Sequence, residues 1–279
     1  MTQARNRSST VVGKAMWFDG QARQFDDSAG LDPAVGGHVA RAIADLSGAT
    51  GDDVILDIGA GTGAIGGPFA TLSNRYFGLD LSRQMLEIFQ GKLTPLPRNM
   101  LLVQTDSDCP WPIGALTVTV VFASRVVHHL ELRHFIQETQ RVCRQGGYLL
   151  LGRVTRDADS LQSRLQRYKR TLLAEHGFPK TGGEQAVHKV VDACCAMGAT
   201  ALPPAVVSRW VRSVTPRQLL AAWESKPQLS SGAPGKEMSA EQRAAIVSAL
   251  TDWVRAEFGD LDRAHELTQE YTLHGARLP

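Results

Sequence analysis

The segment Val54-Ile55-Leu56-Asp57-Ile58-Gly59-Ala60-Gly61-Thr62-Gly63 constrains the fold more than any other part of the chain. An apolar run suited to a strand buried on both faces passes straight into three alternate glycines and then a helical pattern. Only glycine lets a backbone turn that tightly and lie bare against a ligand. A second acid, Asp80, ends the next apolar run 23 residues beyond Asp57, where such folds place a carboxylate to accept ribose hydroxyl protons. A third, Asp106, follows the third run. Together they predict a glycine ledge, a ribose acceptor and an adenine-side acceptor along one edge of a sheet. The loop also satisfies the relaxed dinucleotide fingerprint, as Gly59-x-Gly61-x-x-Ala64, which leaves an NAD-dependent oxidoreductase open. Against it, only one mononucleotide-type half precedes the helical region, and Asp106 and the segment from Ser124 to Leu130 have no evident task in a dinucleotide site.

The remaining pattern agrees with a layered α/β fold. Short apolar runs at Val54 to Leu56, Tyr76 to Leu79, Leu101 to Val103, Val118 to Phe122 and Tyr148 to Leu151 alternate with helical stretches such as Ser82 to Gln90 and Leu132 to Arg144. That alternation predicts a doubly wound, mostly parallel sheet. Asp32-Pro33 opens an earlier helix. Beyond Val154 long helices take over: Leu161, Leu165, Tyr168 and Leu172 form one stripe, and Ser239 with Gln242 makes a capping box ahead of Ile246, Leu250, Trp253 and Phe258. Val206 to Val214 and Glu270 to Arg277 read as two further strands, and the polar stretch from Ser225 to Glu237 as a loop. The expected division is an arm and lid helix over 1–34, an α/β core over 35–154, and a helical cap with the last two strands over 155–279.

Charge narrows the classes of partner. With 30 Lys+Arg against 28 Asp+Glu in 279 residues, the chain has no cationic surplus to neutralise a phosphate backbone. The basic run Arg164, Arg167, Lys169, Arg170 reads as a solvated helix face. No stretch reaches the roughly eighteen uninterrupted apolar residues of a spanning helix, and residues 1–14 lack a signal-peptide core, so a cytoplasmic protein with no membrane partner is expected. Cys109, Cys143, Cys194 and Cys195 have neither disulfide nor zinc spacing, so no metal is expected.

The chain resembles the class I S-adenosylmethionine-dependent methyltransferases, in particular the small-molecule group called methyltransferase type 11. The resemblance is carried by Leu56 to Gly63, Gly78-Leu79-Asp80-Leu81-Ser82, Gln104-Thr105-Asp106, Val127-His128-His129-Leu130 and Arg141 to Tyr148. It departs from the family at Leu116-Thr117, at Arg144-Gln145 and at Pro110-Trp111-Pro112. It implies a Rossmann-like seven-stranded sheet with an antiparallel closing strand and S-adenosyl-L-methionine as cofactor. Carried over, Gly59, Ala60 and Gly61 would lie under the methionine part and Asp57 would hold its amino group. Asp80 and Leu81 would flank the ribose, Asp106 and Ser107 the adenine, and Ser124 would sit beside the methionine. Phe18 and Phe25, with Trp17, look like the family's N-terminal lid, and Arg125 is expected to line the pocket for the substrate.

The expected reaction is methyl transfer to oxygen, nitrogen or an activated carbon of a small organic acceptor in a lidded pocket, with specificity in the helical half. Such a displacement needs mainly alignment and exclusion of water. Where the acceptor must lose a proton, His128 and His129 are the candidate bases. Two other readings stay open beside the oxidoreductase. His128-His129-Leu130 also resembles the wobble-uridine tRNA methyltransferases, against which the near-neutral charge argues, and a non-catalytic cofactor-binding scaffold needs no base at all.

Overall fold

The computed structural model describes residues 15, 18–20, 22–29, 31–72, 74–179, 183–224 and 238–279. The expected arm over 1–14, Trp17 of the lid and the loop over 225–237 lie outside the described residues. Two helices come first, α1 (Ala22–Ala29) and α2 (Pro33–Ser47). Asp32 caps α2, its carboxylate accepting the Ala34 N–H at 2.9 Å, and Gly48 closes it at φ 62°. Then strands and helices alternate: β1 (Val54–Ile58), β2 (Arg75–Asp80), α3 (Arg83–Lys92), β3 (Met100–Gln104), β4 (Val118–Ser124), α4 (Leu132–Val142) and β5 (Cys143–Arg156). The rest is α5 (Leu161–Glu175), α6 (Gly183–Ala196), β6 (Thr200–Val214), α7 (Pro216–Glu224), α8 (Ala240–Phe258) and β7 (His265–Arg277).

All seven strands form one sheet in the order β3-β2-β1-β4-β5-β7-β6. Neighbours from β3 to β5 pair in parallel, with Asp57 opposite Gly78 on one side and Phe122 on the other. β7 runs the other way: the Gly146 N–H donates to the Pro279 carbonyl and the Leu278 N–H to the Gly147 carbonyl, at 3.3 and 2.8 Å. The order reverses at β1, whose neighbours are β2 and β4, and a crevice opens there at the carboxyl ends of the strands. The strands beside it are buried on both faces, with Ile55, Leu56, Ile58 and Val118 to Ala123 all inaccessible to solvent.

The last three strands and one helix are longer or earlier than the sequence suggests. The helix expected to reach Arg144 stops at Val142, and β5 begins at once. Val118 pairs with Cys143 but Val120 with Tyr148, so residues 144–147 bulge, and Gly146 supplies the left-handed corner at φ 70°. β6 starts at Thr200 rather than Val206 and carries Pro203-Pro204. It is the last strand in the sheet order, the position at which a strand tolerates proline. α6 is an addition. Its Val187, Val190 and Cys194 are buried with Phe135 of α4 and Val127 in the main core.

The chain divides into two compact units. The first comprises Met1–Val154, Gly182–Ser208 and Tyr271–Pro279, and holds the crevice. The second comprises Thr155–Thr181 and Arg209–Glu270. Its own core joins Leu165, Leu172 and Leu173 of α5, Leu220 and Trp223 of α7, and Ile246, Leu250 and Val254 of α8, with Tyr168 stacked on Trp253 at 4.7 Å. The Ser239 and Gln242 capping box opens α8. The basic run of α5 is engaged within this unit: Arg164 pairs with Glu257, Arg167 donates to the Ala158 carbonyl, and Lys169 lies over the Trp223 ring.

Candidate cofactor and substrate site

The glycine loop is tied to the end of β2. The Gly59 and Ala60 N–H groups both donate to the Leu79 carbonyl, at 2.8 and 3.0 Å, and the Gly61 N–H donates to Asp80 Oδ2 at 2.8 Å. Gly59 and Gly61 have φ of 76° and 56°, where a side chain would be strained, and a Cβ on Gly59 would also meet Val126 at 2.7 Å. The loop therefore presents bare backbone to a cleft of about 990 Å³, counted out to open solvent.

Three acids line the cleft. Asp57 is buried at the end of β1, where its Oδ2 accepts a hydrogen bond from the Tyr76 hydroxyl at 2.6 Å and its Oδ1 has no hydrogen-bond partner among the described residues. Burial pushes its carboxyl up to about 7, the Tyr76 hydroxyl opposes the rise, and the nearby Asp80 charge adds to it. Asp80 takes the Ser82 N–H on Oδ1 and the Gly61 N–H on Oδ2, and burial raises its carboxyl too. A carboxylate offers about four acceptor positions, so acceptor capacity remains for a ligand. Asp106 follows β3, with Oδ1 on the Asp108 N–H at 3.0 Å. Its neighbour Ser107 is fixed by a buried tryptophan: the Trp111 indole donates to the Ser107 carbonyl, and the Trp111 N–H donates to Glu138 Oε2. The Pro110-Trp111-Pro112 departure thus becomes a core anchor under the cleft rim, with Glu138 further clamped by Arg141.

The opposite wall comes from β4 and the N-terminal segment. Ser124 Oγ lies 2.6 Å from the hydroxyl of Tyr271, a fully buried residue of β7. Arg125 has φ 59°, an uncommon conformation for a residue with a side chain. Its N–H is anchored on the Gly152 carbonyl, and its guanidinium, lowered in pKa mainly by burial, lies 5.7 Å from the Phe25 ring centre. Both histidines sit exposed on a single 3-10 turn, Val127–His129: His129 lines the cleft edge-on to Phe18 at 5.5 Å, whereas His128 is absent from the lining. Carboxylates tether the N-terminal segment over the loop: Asp19 accepts from the Ser82 hydroxyl, and Asp26 accepts from Thr62 Oγ1 at 2.5 Å and from Lys92 Nζ at 2.6 Å.

The structure therefore brings Asp57, Gly59, Ala60, Gly61, Asp80, Leu81, Asp106, Ser107, Ser124, Phe18, Phe25, Arg125 and His129 to one cleft and leaves His128 outside its lining. Sequence reasoning did not find Thr62, Ala64, Ile65, Met85, Val126 and Leu130 in the wall, nor Tyr76 and Tyr271 behind it. The signal for the two tyrosines was available, since a buried phenol needs a hydrogen-bond partner. Chemically, the cleft suits a cationic nucleoside. The orphaned Asp57 Oδ1 and the mutual repulsion of buried carboxylates are both relieved by a bound positive charge, and the sugar and base edges need acceptors such as Asp80 and Asp106 offer. Among the described residues no cluster of His, Cys, Asp and Glu could hold a metal ion, and no helix is long and apolar enough to cross a membrane.

Comparison with known proteins agrees with this geometry. Residues 56–151 match the methyltransferase domain family model. A demethylmenaquinone methyltransferase of Tropheryma whipplei (strain Twist) is 30% identical over 115 residues, 41% of this chain and 47% of that protein. The chain thus spans about half the length of the curated relatives it matches. A protein of Bacillus halodurans C-125 shares the fold at a TM-score of 0.53 and 16% identity, over 86% of this chain and 98% of that one. The [4+2]-cyclase SpnF shares it at 0.52 and 16%, over 87% and 81%. The sheet order and the glycine loop lie within or beside the matched segment, so residues 56–151 are similar in sequence to the methyltransferase domain family and the chain shares its fold with the two solved structures.

Proposed function

We propose that this protein binds S-adenosyl-L-methionine in the cleft and transfers its methyl group to a small organic acceptor by direct displacement. The observation that carries the reading is the buried Asp57 Oδ1, without a hydrogen-bond partner among the described residues, on a cleft wall that also holds the glycine ledge and Asp80. When bound, the cofactor supplies a methyl group on a sulfonium that departs as a neutral thioether. The protein's part is positional. Asp57 holds the amino group, Asp80 the ribose hydroxyls, and Asp106 with Ser107 the adenine edge, while Gly59, Ala60 and Gly61 let the ligand lie on backbone. Phe18 and Phe25 exclude water from the reacting end. Arg125 meets the acceptor, and its left-handed backbone is the kind of local strain found at ligand sites. His129, on the wall, accepts a proton where the acceptor must lose one, with the His128 ring 3.9 Å behind it. Small acceptors are favoured by the near-neutral charge of the chain, which offers no cationic surplus to a nucleic acid.

The test is calorimetric titration with S-adenosylhomocysteine. The parent protein is expected to bind it, and Asp80→Ala to lose at least about tenfold in affinity as ribose acceptors disappear. A parent that binds NADH and not S-adenosylhomocysteine overturns the reading.

A further inference from the structure

We propose that Tyr76 is a positioning residue for Asp57, presenting one oxygen of that carboxylate to the amino group of the bound cofactor. The inference rests on the cofactor reading above and adds a residue that no cleft-lining criterion selects, because Tyr76 lies behind the wall. β1 and β2 pair with Ile55 opposite Tyr76 and Asp57 opposite Gly78. Tyr76 and Asp57 are thus diagonal neighbours on one face of the sheet, a relation long side chains can bridge. The residue between them on that face is Gly78, where an added Cβ would stand 3.0 Å from the Tyr76 ring. Glycine there clears the path for the phenol. Gly66 clears its far side, since a Cβ at that position would fall 2.1 Å from the hydroxyl.

The ring is clamped as well. It is fully buried, stacked on Phe69 at 5.4 Å and set edge-on to Phe89 at 6.0 Å. From that fixed position the hydroxyl donates to Asp57 Oδ2 at 2.6 Å. Two consequences follow. The carboxylate cannot rotate freely, so Oδ1 is the oxygen left for a ligand. The bond also favours the charged form against burial, and the charged form is the one that attracts an ammonium group. The other ionisable groups acting at this point are Asp80 at the end of β2 and Tyr271 of β7 behind Ser124. Neither is a cation, so among these groups the Tyr76 hydroxyl alone supports the negative charge.

The test removes only the hydroxyl, in Tyr76→Phe, and leaves the packed ring. Two probes are titrated by calorimetry between pH 6 and 8.5: S-adenosylhomocysteine, which carries the amino acid part, and 5′-methylthioadenosine, which lacks it. Tyr76→Phe is expected to weaken S-adenosylhomocysteine about tenfold at pH 7, the worth of a charge-assisted hydrogen bond. The deficit should narrow as pH rises, because losing the bond raises the Asp57 carboxyl further. Binding of 5′-methylthioadenosine should not change. In an Asp57→Asn background, adding Tyr76→Phe should bring no further loss. Equal weakening of both probes, or of neither, overturns the positioning role while leaving the cofactor reading intact. A parent that binds neither probe overturns the cofactor reading first and this inference with it.

Discussion

Replacing Asp57 by asparagine should make the unliganded protein more stable and a poorer binder, and the gain should depend on pH. In the folded chain burial raises this carboxyl from 3.8 to about 7. The folded state therefore keeps a proton between about pH 4 and 7 that the unfolded chain has already released. Since the folded pKa is the higher one, the parent loses stability as pH rises through that window and carries the full penalty above it. At about 1.4 kcal/mol per pKa unit, the full penalty is roughly 4 kcal/mol, of which about 2 to 3 kcal/mol accrues between pH 5 and 8. Asparagine cannot ionise, yet its amide oxygen can still accept the Tyr76 hydroxyl proton. Thermal unfolding of parent and Asp57→Asn at pH 5 and pH 8, without ligand, reads the difference. The variant's advantage should grow by about 5 °C or more from the lower to the higher pH. S-adenosylhomocysteine affinity should fall at the same time, about tenfold or more with the loss of the charged acceptor. A difference in melting temperature independent of pH would refute the reasoning, because it would mean that Asp57 ionises in the folded protein at no cost.

Two further outcomes test the supports around the cleft. Glu138→Gln should cost about 1 to 2 kcal/mol at pH 7 by urea unfolding, less than a wholly buried pair because the Arg141 side chain is 36% exposed. The Glu138 carboxyl is held below its usual range, first by the Arg141 hydrogen bond, so its stabilisation is present above pH 4.5 and lost as pH falls through the folded value; the gap to the glutamine variant should close toward pH 3. Tyr271→Phe should cost about 1 kcal/mol, because the Ser124 hydroxyl it abandons borders the cleft and can turn to water. A loss above about 3 kcal/mol, as for an unsatisfied group deep in the core, would show that Ser124 cannot reach solvent.

What the sequence reveals depends on how much of a residue's fate is local. β1 through β4 and the loop after β1 could be read because strands buried on both faces are apolar without interruption, and because alternate glycines have few other uses. Asp80 and Asp106 were found by chain spacing alone. β6 was truncated because it is mostly exposed and carries two prolines, which speak against a strand unless its edge position is known. Trp111 read as a disturbance of the family pattern because its partners Glu138 and Arg141 lie 27 and 30 residues away and meet it only in the fold. Adjacent histidines were indistinguishable until the 3-10 turn put His129 on the wall and His128 outside it. Tyr271 joins a serine 147 residues away, a pairing that only strand order discloses.

Both buried tyrosine hydroxyls sit where a glycine makes room: Tyr76 against Gly66, and Tyr271 against Gly152, where a Cβ would stand 1.8 Å from the oxygen. Each tyrosine and its glycine are thus one unit of inheritance. Along a lineage, the glycine is released to become alanine only after the tyrosine has given way to something smaller, and a tyrosine cannot return once the alanine is fixed. A relative that kept the cofactor motifs but carried alanine at either glycine would have to hold its β1 carboxylate, or its β4 serine, by some other means.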